Sequence, residues 1–318
     1  MVSYERPLVF YKFAAIICTM SLFCEICTVL DDAEVGYSTE KVLGSDVIFV
    51  GDVAVIPINI RAKSMEAAVS DARIHEAVVS QILEQKKVYP LTIAEDRWKS
   101  QREMMASRLL AHAGIFTQIY ARNCEIRKTD RQTAADFLSK NHSYGDAKCR
   151  YRYGLYLKRH TGHNAGNTAD GTSGTIAPGT LVAVATFSNA RKWVKGDKII
   201  RSYEWTRYAS LPGVRLSGGM GKLLKAFIED VHPDDIMTYA DLEWSEGKVY
   251  EALGFILEGH KEPVSFIVDS SWKRIPIKNE THNPSSLPSS TSLRAKRGNL
   301  YFRNLGSNKY RLKLTDYQ

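Results

Sequence analysis

A Gly-rich turn, Arg215-Leu-Ser-Gly-Gly-Met-Gly-Lys222, runs straight into an apolar repeat, and no other stretch limits the possible folds so tightly. Met220, Leu223, Leu224, Phe227, Ile228 and Val231 recur at the spacing of one buried helix face, while Lys222, Lys225, Glu229 and Asp230 fall outside it. Pro233 closes the helix. A glycine turn opening a helix leaves free N–H groups and the positive end of the helix dipole aimed at one spot, which suits phosphate or pyrophosphate. The turn is not a Walker loop, because Leu223 follows Gly221-Lys222 where Ser or Thr is required.

Strands and helices alternate around this turn. Asp46–Asp52 and Val53–Ile60 read as adjacent strands, Glu66–Gln85 as a helix with Ala67, Ile74, Val78 and Ile82 inward, and Val88–Ile93 as a third strand. Ser100 and Glu103 have capping-box spacing for a helix ending at Gly114. Further on, Ile119–Arg127, Tyr151–Leu157, Leu181–Phe187, Ile200–Ser210 and Asp235–Asp241 read as strands, and Thr133–Lys140 and Ser245–Leu253 as short helices. Phe255–Glu258 and Val264–Val268 suggest a closing hairpin. The expected fold class is α/β (α+β): a mixed central sheet flanked by helices, preceded by a small α/β domain. The expected division is 1–118 for the small domain, 119–275 for the main one with a mobile loop over 160–179, and 276–318 for a disordered basic tail.

Charge says little about the core. The net charge of +8 concentrates beyond Asn283, where seven Lys/Arg face Asp316 alone, leaving +2 for the remainder. The five cysteines are irregularly spaced, which fits a reducing compartment, and Cys24 and Cys27 read as apolar thiols. Lys12 and Glu25 interrupt the apolar run Leu8–Leu30, so a buried helix or strand of a cytoplasmic protein is expected there, with a secretory signal as the lesser alternative, and no membrane span. His160, His163 and Asp170 sit in a solvated loop, and no metal site is expected.

The order of elements resembles the Gcn5-related N-acetyltransferase (GNAT) fold. Arg215-Leu-Ser-Gly218-Gly219-Met220-Gly221 resembles that family's Arg/Gln-x-x-Gly-x-Gly/Ala turn, with the last glycine one position late, and Val249-Tyr-Glu-Ala-Leu-Gly-Phe255 resembles its Leu-Tyr-Glu-Lys-Leu-Gly-Phe segment. The resemblance implies acetyl-CoA or another acyl-CoA as cofactor, held by Arg215, Gly218, Gly219, Gly221 and Lys222, with Tyr250 protonating the departing thiolate. A narrower likeness, carried by Asn141-His142, Tyr203-Glu204-Trp205-Thr206-Arg207, Tyr239-Ala-Asp241 and Trp244-Ser245, is to phage and bacterial acyltransferase-like proteins related to Mom, which modifies adenine in DNA. It implies His142, Asp241 and Tyr250 at the reaction centre. From the residues themselves, His142 titrates near neutrality and can take a proton from an amine, Glu204 is an alternative base, Asp241 orients it or a water, and Arg207 suits phosphate.

The first 118 residues resemble the very-short-patch-repair and restriction endonuclease fold through Glu95-Asp96-Arg97-Trp98. Asp46 or Asp52 would be its metal-binding Asp, but Asn59-Ile-Arg61 stands where a carboxylate and lysine belong, which implies a non-cleaving module able to hold DNA. The expected function is an acyl-CoA-dependent N-acyltransferase acting on an amine, a nucleobase in DNA among the candidates. The competing expectation is a non-catalytic DNA-binding or mobile-element accessory protein that retains the fold.

Overall fold

The structure, a computed structural model, describes residues 21–159, 176–277 and 298–317. The readings of His160, His163, Asp170 and the stretch 8–20 lie outside the described residues.

The first unit is built on a strand–helix–strand crossover. Helix α1 (Leu22–Asp32) buries Leu22, Ile26 and Leu30 at i, i+4 and i+8. Strands β1 (Ser38–Val42), β2 (Ser45–Val50) and β3 (Val53–Ile58) pair antiparallel, and helix α2 (Met65–Gln85) returns the chain so that β4 (Tyr89–Ala94) runs parallel to β3 with Val55 opposite Leu91. The inward face of α2 is Ala68, Ala72, His75, Val78 and Ile82, while Ile74 is 53% exposed. Val78 and Ile82 face inward as expected, but Ala67 and Ile74 do not: Ala68 and His75 take their places, and His75, which reads as polar, has its Nε2 at 2.9 Å from the Thr92 hydroxyl inside the core.

Two helices follow, α3 (Glu95–Ser100) and α4 (Arg102–His112). The Ser100–Glu103 capping box does not form: Ser100 Oγ donates to the Asp96 carbonyl at 2.6 Å, which closes α3 instead of opening α4.

The second unit carries the main sheet. Its elements are β5 (Thr117–Tyr120), β6 (Cys124–Lys128), α5 (Arg131–Asn141), β7 (Tyr151–Leu157), β8 (Leu181–Phe187), β9 (Arg191–Lys195), β10 (Lys198–Ser210), β11 (Val214–Ser217), α6 (Gly219–Val231), β12 (Asp235–Asp241), α7 (Lys248–Ala252) and β13 (Ile256–Lys261). They are followed by β14 (Ser265–Val268), β15 (Arg274–Pro276), β16 (Leu300–Arg303) and β17 (Ser307–Lys313). The strand order is β13-β17-β12-β10-β8-β7-β6, with β9 also on β10. The architecture is mixed α/β. Helix α6 presses Leu223, Leu224 and Phe227 onto the sheet, where Phe227 lies against Phe187, Tyr151, Tyr153 and Tyr203. Removing the Phe227 ring would forfeit about 3–5 kcal/mol of packing.

Three sequence expectations need correction. The stretch Ile119–Arg127 is not one strand, because a 3-10 turn at Ala121–Asn123 divides β5 from β6. The segments at 256–261 and 265–268 do not pair with each other: β13 lies on β17 and β14 between β15 and β16. The largest correction concerns the disordered tail. Leu300–Arg303 and Ser307–Lys313 are strands, and β17 fills the slot between β12 and β13. Two basic residues of β17 are matched in place, Arg311 by Asp235 at 2.6 Å and Glu258 at 2.7 Å, and Lys309 by Glu258 at 2.6 Å. Their charge serves the fold, and counting it as a free basic tail mistook ion-pair partners for unpaired ones.

The two units share their cores. Ile60 and Ala94 pack with Phe266, Val268 and Phe302, and Thr92 N donates to the Glu243 carbonyl at 2.9 Å. Trp244 packs on the cluster of the first unit.

Candidate active site

The site begins where two parallel strands part. β10 and β12 pair only from Ser202 opposite Asp235 to Glu204 opposite Met237. Beyond that point β10 continues to Ser210 bonded to β8, and β12 continues to Asp241 bonded to β17. A register shift between Trp205 and Arg207 bends β10 at the fork. Thr238 Oγ donates to the Trp205 carbonyl at 3.2 Å, spanning the gap just past the last paired residues. The facing edges of both strands are therefore open in the middle of the sheet, where backbone polar groups normally pair.

A cavity of about 610 Å³ fills the fork. His142, Glu204, Arg207, Asp241 and Tyr250, chosen from sequence, all line it. They come from four places: the end of α5, the fork of β10, the end of β12 and helix α7.

Tyr250 is held by aromatic packing, with Trp205, Phe255 and Tyr310 rings at 6.1, 5.7 and 5.7 Å. Burial pushes its hydroxyl above the ordinary value of 10.0, against the opposing Thr238 hydroxyl. It is thus protonated at neutral pH and able to donate. Gly247, at φ 87°, starts α7, and a Cβ there would overlap the Tyr310 ring. Tyr310 in turn donates to the Glu246 carbonyl at 2.8 Å. A residue of the supposed tail thus supports the helix that presents Tyr250.

His142 does not titrate near neutrality. Burial, then the neighbouring Arg207, Arg108 and Arg97, lower its imidazole to about 3. Its Nδ1 accepts the Tyr144 backbone N–H at 3.1 Å, so the neutral ring carries its proton on Nε2. The expectation of a histidine base is corrected: the ring is a hydrogen-bond donor. His75, lowered by burial to about 4, behaves likewise. For both, the folded chain holds fewer protons than the unfolded chain between these values and 6.5, so stability is full above about pH 6.5 and falls as pH drops towards 4. Melting temperatures between pH 7.5 and 4.5 should decline, and His75→Gln should flatten the decline; an unchanged slope in that variant contradicts this origin.

Glu204 and Arg207 do not pair. Arg207 donates to the Gly145 carbonyl at 3.1 Å and the Thr206 carbonyl at 2.7 Å, and the Glu204 carboxylate has no hydrogen bond or ion pair among the described residues. Asp241 Oδ1 accepts the Glu243 N–H at 3.0 Å in the turn after β12.

The Gly-rich turn meets the cavity only through Met220. Gly218 caps α6 at φ 75°, and the amides of Gly219, Met220 and Gly221 have no hydrogen-bond partner among the described residues. A side chain at Gly219 would collide with Leu216 and approach the Tyr208 hydroxyl. Arg215 is exposed over the Phe116 ring at 4.8 Å. Lys222 faces inward, donating to the Ala121 carbonyl at 2.9 Å and the Cys124 carbonyl at 2.5 Å, so two of its three ammonium donors are engaged by the fold.

Sequence reasoning missed Arg108, Tyr144, Tyr208 and Trp244, which also line the cavity. Arg108 belongs to α4, about a hundred residues before the fork, and nothing in its own stretch signals a site.

The endonuclease likeness finds its residues in other roles. Asp46 pairs with Lys41 at 2.8 Å, Asp52 lies in the exposed turn before β3, and Arg61 pairs with Glu95 at 2.6 Å. Among the described residues no group of three or more His, Cys, Asp or Glu is placed to hold a metal, and no helix is long and apolar enough to cross a membrane.

No family model and no curated protein matches the chain. Among solved structures, it is similar to a chain of the NatC complex bound to Gag peptide and CoA, at 14% identity over 61% of this chain and 99% of that one, with a TM-score of 0.32. A likeness that weak leaves the function to be read from the fork itself.

Proposed function

We propose that the chain is an acyl-CoA-dependent N-acyltransferase, acting on an amine acceptor, with the exocyclic amine of a nucleobase in DNA within that class. The observation that carries the reading is the fork: parallel strands that separate mid-sheet over a cavity holding an unpaired carboxylate, Glu204, and a protonated phenol, Tyr250. The open first turn of α6 borders the same cavity through Met220 and offers three amides to a pyrophosphate.

The chemistry follows from these positions. The acceptor amine attacks the thioester carbonyl, and its proton passes to Glu204 directly or through a water. The open strand edges of the fork supply backbone donors for the oxyanion. The C–S bond then breaks, and the Tyr250 hydroxyl gives its proton to the sulfur. Neutral His142 and Asp241 orient the acceptor. The experiment is thiol release from acetyl-CoA in the presence of single-stranded and duplex DNA, nucleosides and amino acids. The expected result is saturable release dependent on one acceptor class and reduced in Glu204→Gln; no release with any amine would overturn the reading.

A further inference from the structure

The cavity holds more guanidinium than the transfer reaction uses. Arg108, projecting from α4 of the first unit, stands over the Trp244 ring at 5.2 Å, and no hydrogen bond or ion pair engages it among the described residues. It lines both the main cavity and a smaller one of about 200 Å³. Arg207 spends Nε and one terminal nitrogen on carbonyls, leaving the other terminal nitrogen without a partner. Arg97 lies behind them, fixed to the Ser143 carbonyl at 2.5 Å and over the Tyr144 ring at 4.5 Å.

No carboxylate forms an ion pair with Arg108 or Arg207 among the described residues, although Glu204 and Asp146 act on Arg207, and Asp241 on Arg108, through space. Glu243 is committed to Arg274 at 2.9 Å, Asp241 accepts from its own turn, and Glu204 forms no ion pair. The excess positive potential is felt by the neighbours. Arg207, Arg108 and Arg97 all act to lower His142, and burial lowers Arg108 itself from 12.5 to about 10 despite Asp241. A partly buried guanidinium without a partner is costly unless something anionic completes it.

We infer that Arg108 and Arg207 form the seat for an oxyanion, a carboxylate or a phosphate ester, carried by the acceptor, so that the substrate is an anionic amine. Both line the same cavity: the Arg108 guanidinium presents paired N–H donors to two oxygens, and Arg207 adds the N–H groups of its remaining terminal nitrogen. The Nε2–H of neutral His142 is a third donor on the same cavity. The seat also gives the first unit a role in the reaction: it brings Arg108 to a cavity otherwise built by the second.

The word acceptor rests on the acyl-transfer reading; the anion seat does not, and the two are tested separately. Inorganic phosphate and acetate, in separate titrations at constant ionic strength, are followed through tryptophan emission, with Trp244→Phe identifying the reporter beside Arg108. The expected result is a saturable change with one or both anions, lost in Trp244→Phe, and a dissociation constant raised about tenfold or more in Arg108→Gln, with Arg108→Lys intermediate. The far-ultraviolet spectrum of each variant establishes that it is folded. Acetyl-CoA affinity is measured alongside and should be the same in Arg108→Gln as in the original protein. An absent anion response, or an equal one in Arg108→Gln, overturns the seat. If Arg108→Gln weakens acetyl-CoA as much as it weakens phosphate, the arginine serves the donor and the inference is wrong. Anion binding without acetyl-CoA binding leaves the seat standing and removes the transferase.

Discussion

Asp96→Ala should destabilise the protein by about 3–5 kcal/mol, the cost of stranding a buried partner charge. Asp96 is fully buried and binds the Arg274 guanidinium through both oxygens, and Arg274, itself 3% exposed, also holds Glu243 at 2.9 Å. These three residues come from α3, the strand β15 and the turn after β12, so the network fastens the first unit to the floor of the cavity. Removing Asp96 leaves a buried Arg274 half-compensated. Removing Arg274 is worse, because Arg274→Met strands two carboxylates at once. Burial already pushes the Glu243 carboxyl up against the pull of Arg274, so Glu243→Gln should be the mildest of the three. Urea unfolding curves rank them; Asp96→Ala within about 1 kcal/mol of the original protein would show that the network contributes little.

Tyr250→Phe should lower turnover by about a hundredfold or more while leaving acetyl-CoA affinity within a factor of about two, as expected for loss of a general acid. The ring packing with Trp205, Phe255 and Tyr310 survives the substitution, since only the hydroxyl is lost. Because burial raises Tyr250 above 10.0, no alkaline decline from this group is expected below about pH 10. Unchanged turnover in the variant would remove Tyr250 from the mechanism.

Much of the fold is legible in the chain because its signals are local. Tyr151–Leu157, Leu181–Phe187 and Asp235–Asp241 are β-rich runs whose ends coincide with the strands, and the face of α6 follows from spacing alone. What escaped depends on partners distant in sequence. β17 reads as a basic tail until Asp235 and Glu258 are seen beside Arg311. Lys222 reads as a phosphate ligand until two carbonyls of the β5–β6 turn are found at its ammonium. Glu95-Asp96-Arg97-Trp98 reads as a nuclease signature, yet its four side chains hold Arg61, Arg274, the Ser143 carbonyl and Glu25. Among the site residues, His142, Glu204, Arg207, Asp241 and Tyr250 reach one cavity, but the state of His142 follows from three arginines that no window around it contains.

Whether the fork takes an acyl-CoA is decided most directly by titrating acetyl-CoA into the full chain in a calorimeter. One-to-one saturable heat is expected, retained in Tyr250→Phe and lost when Gly219→Val fills the contact between the turn, Leu216 and Tyr208. No heat and no thermal stabilisation at millimolar acetyl-CoA would contradict it.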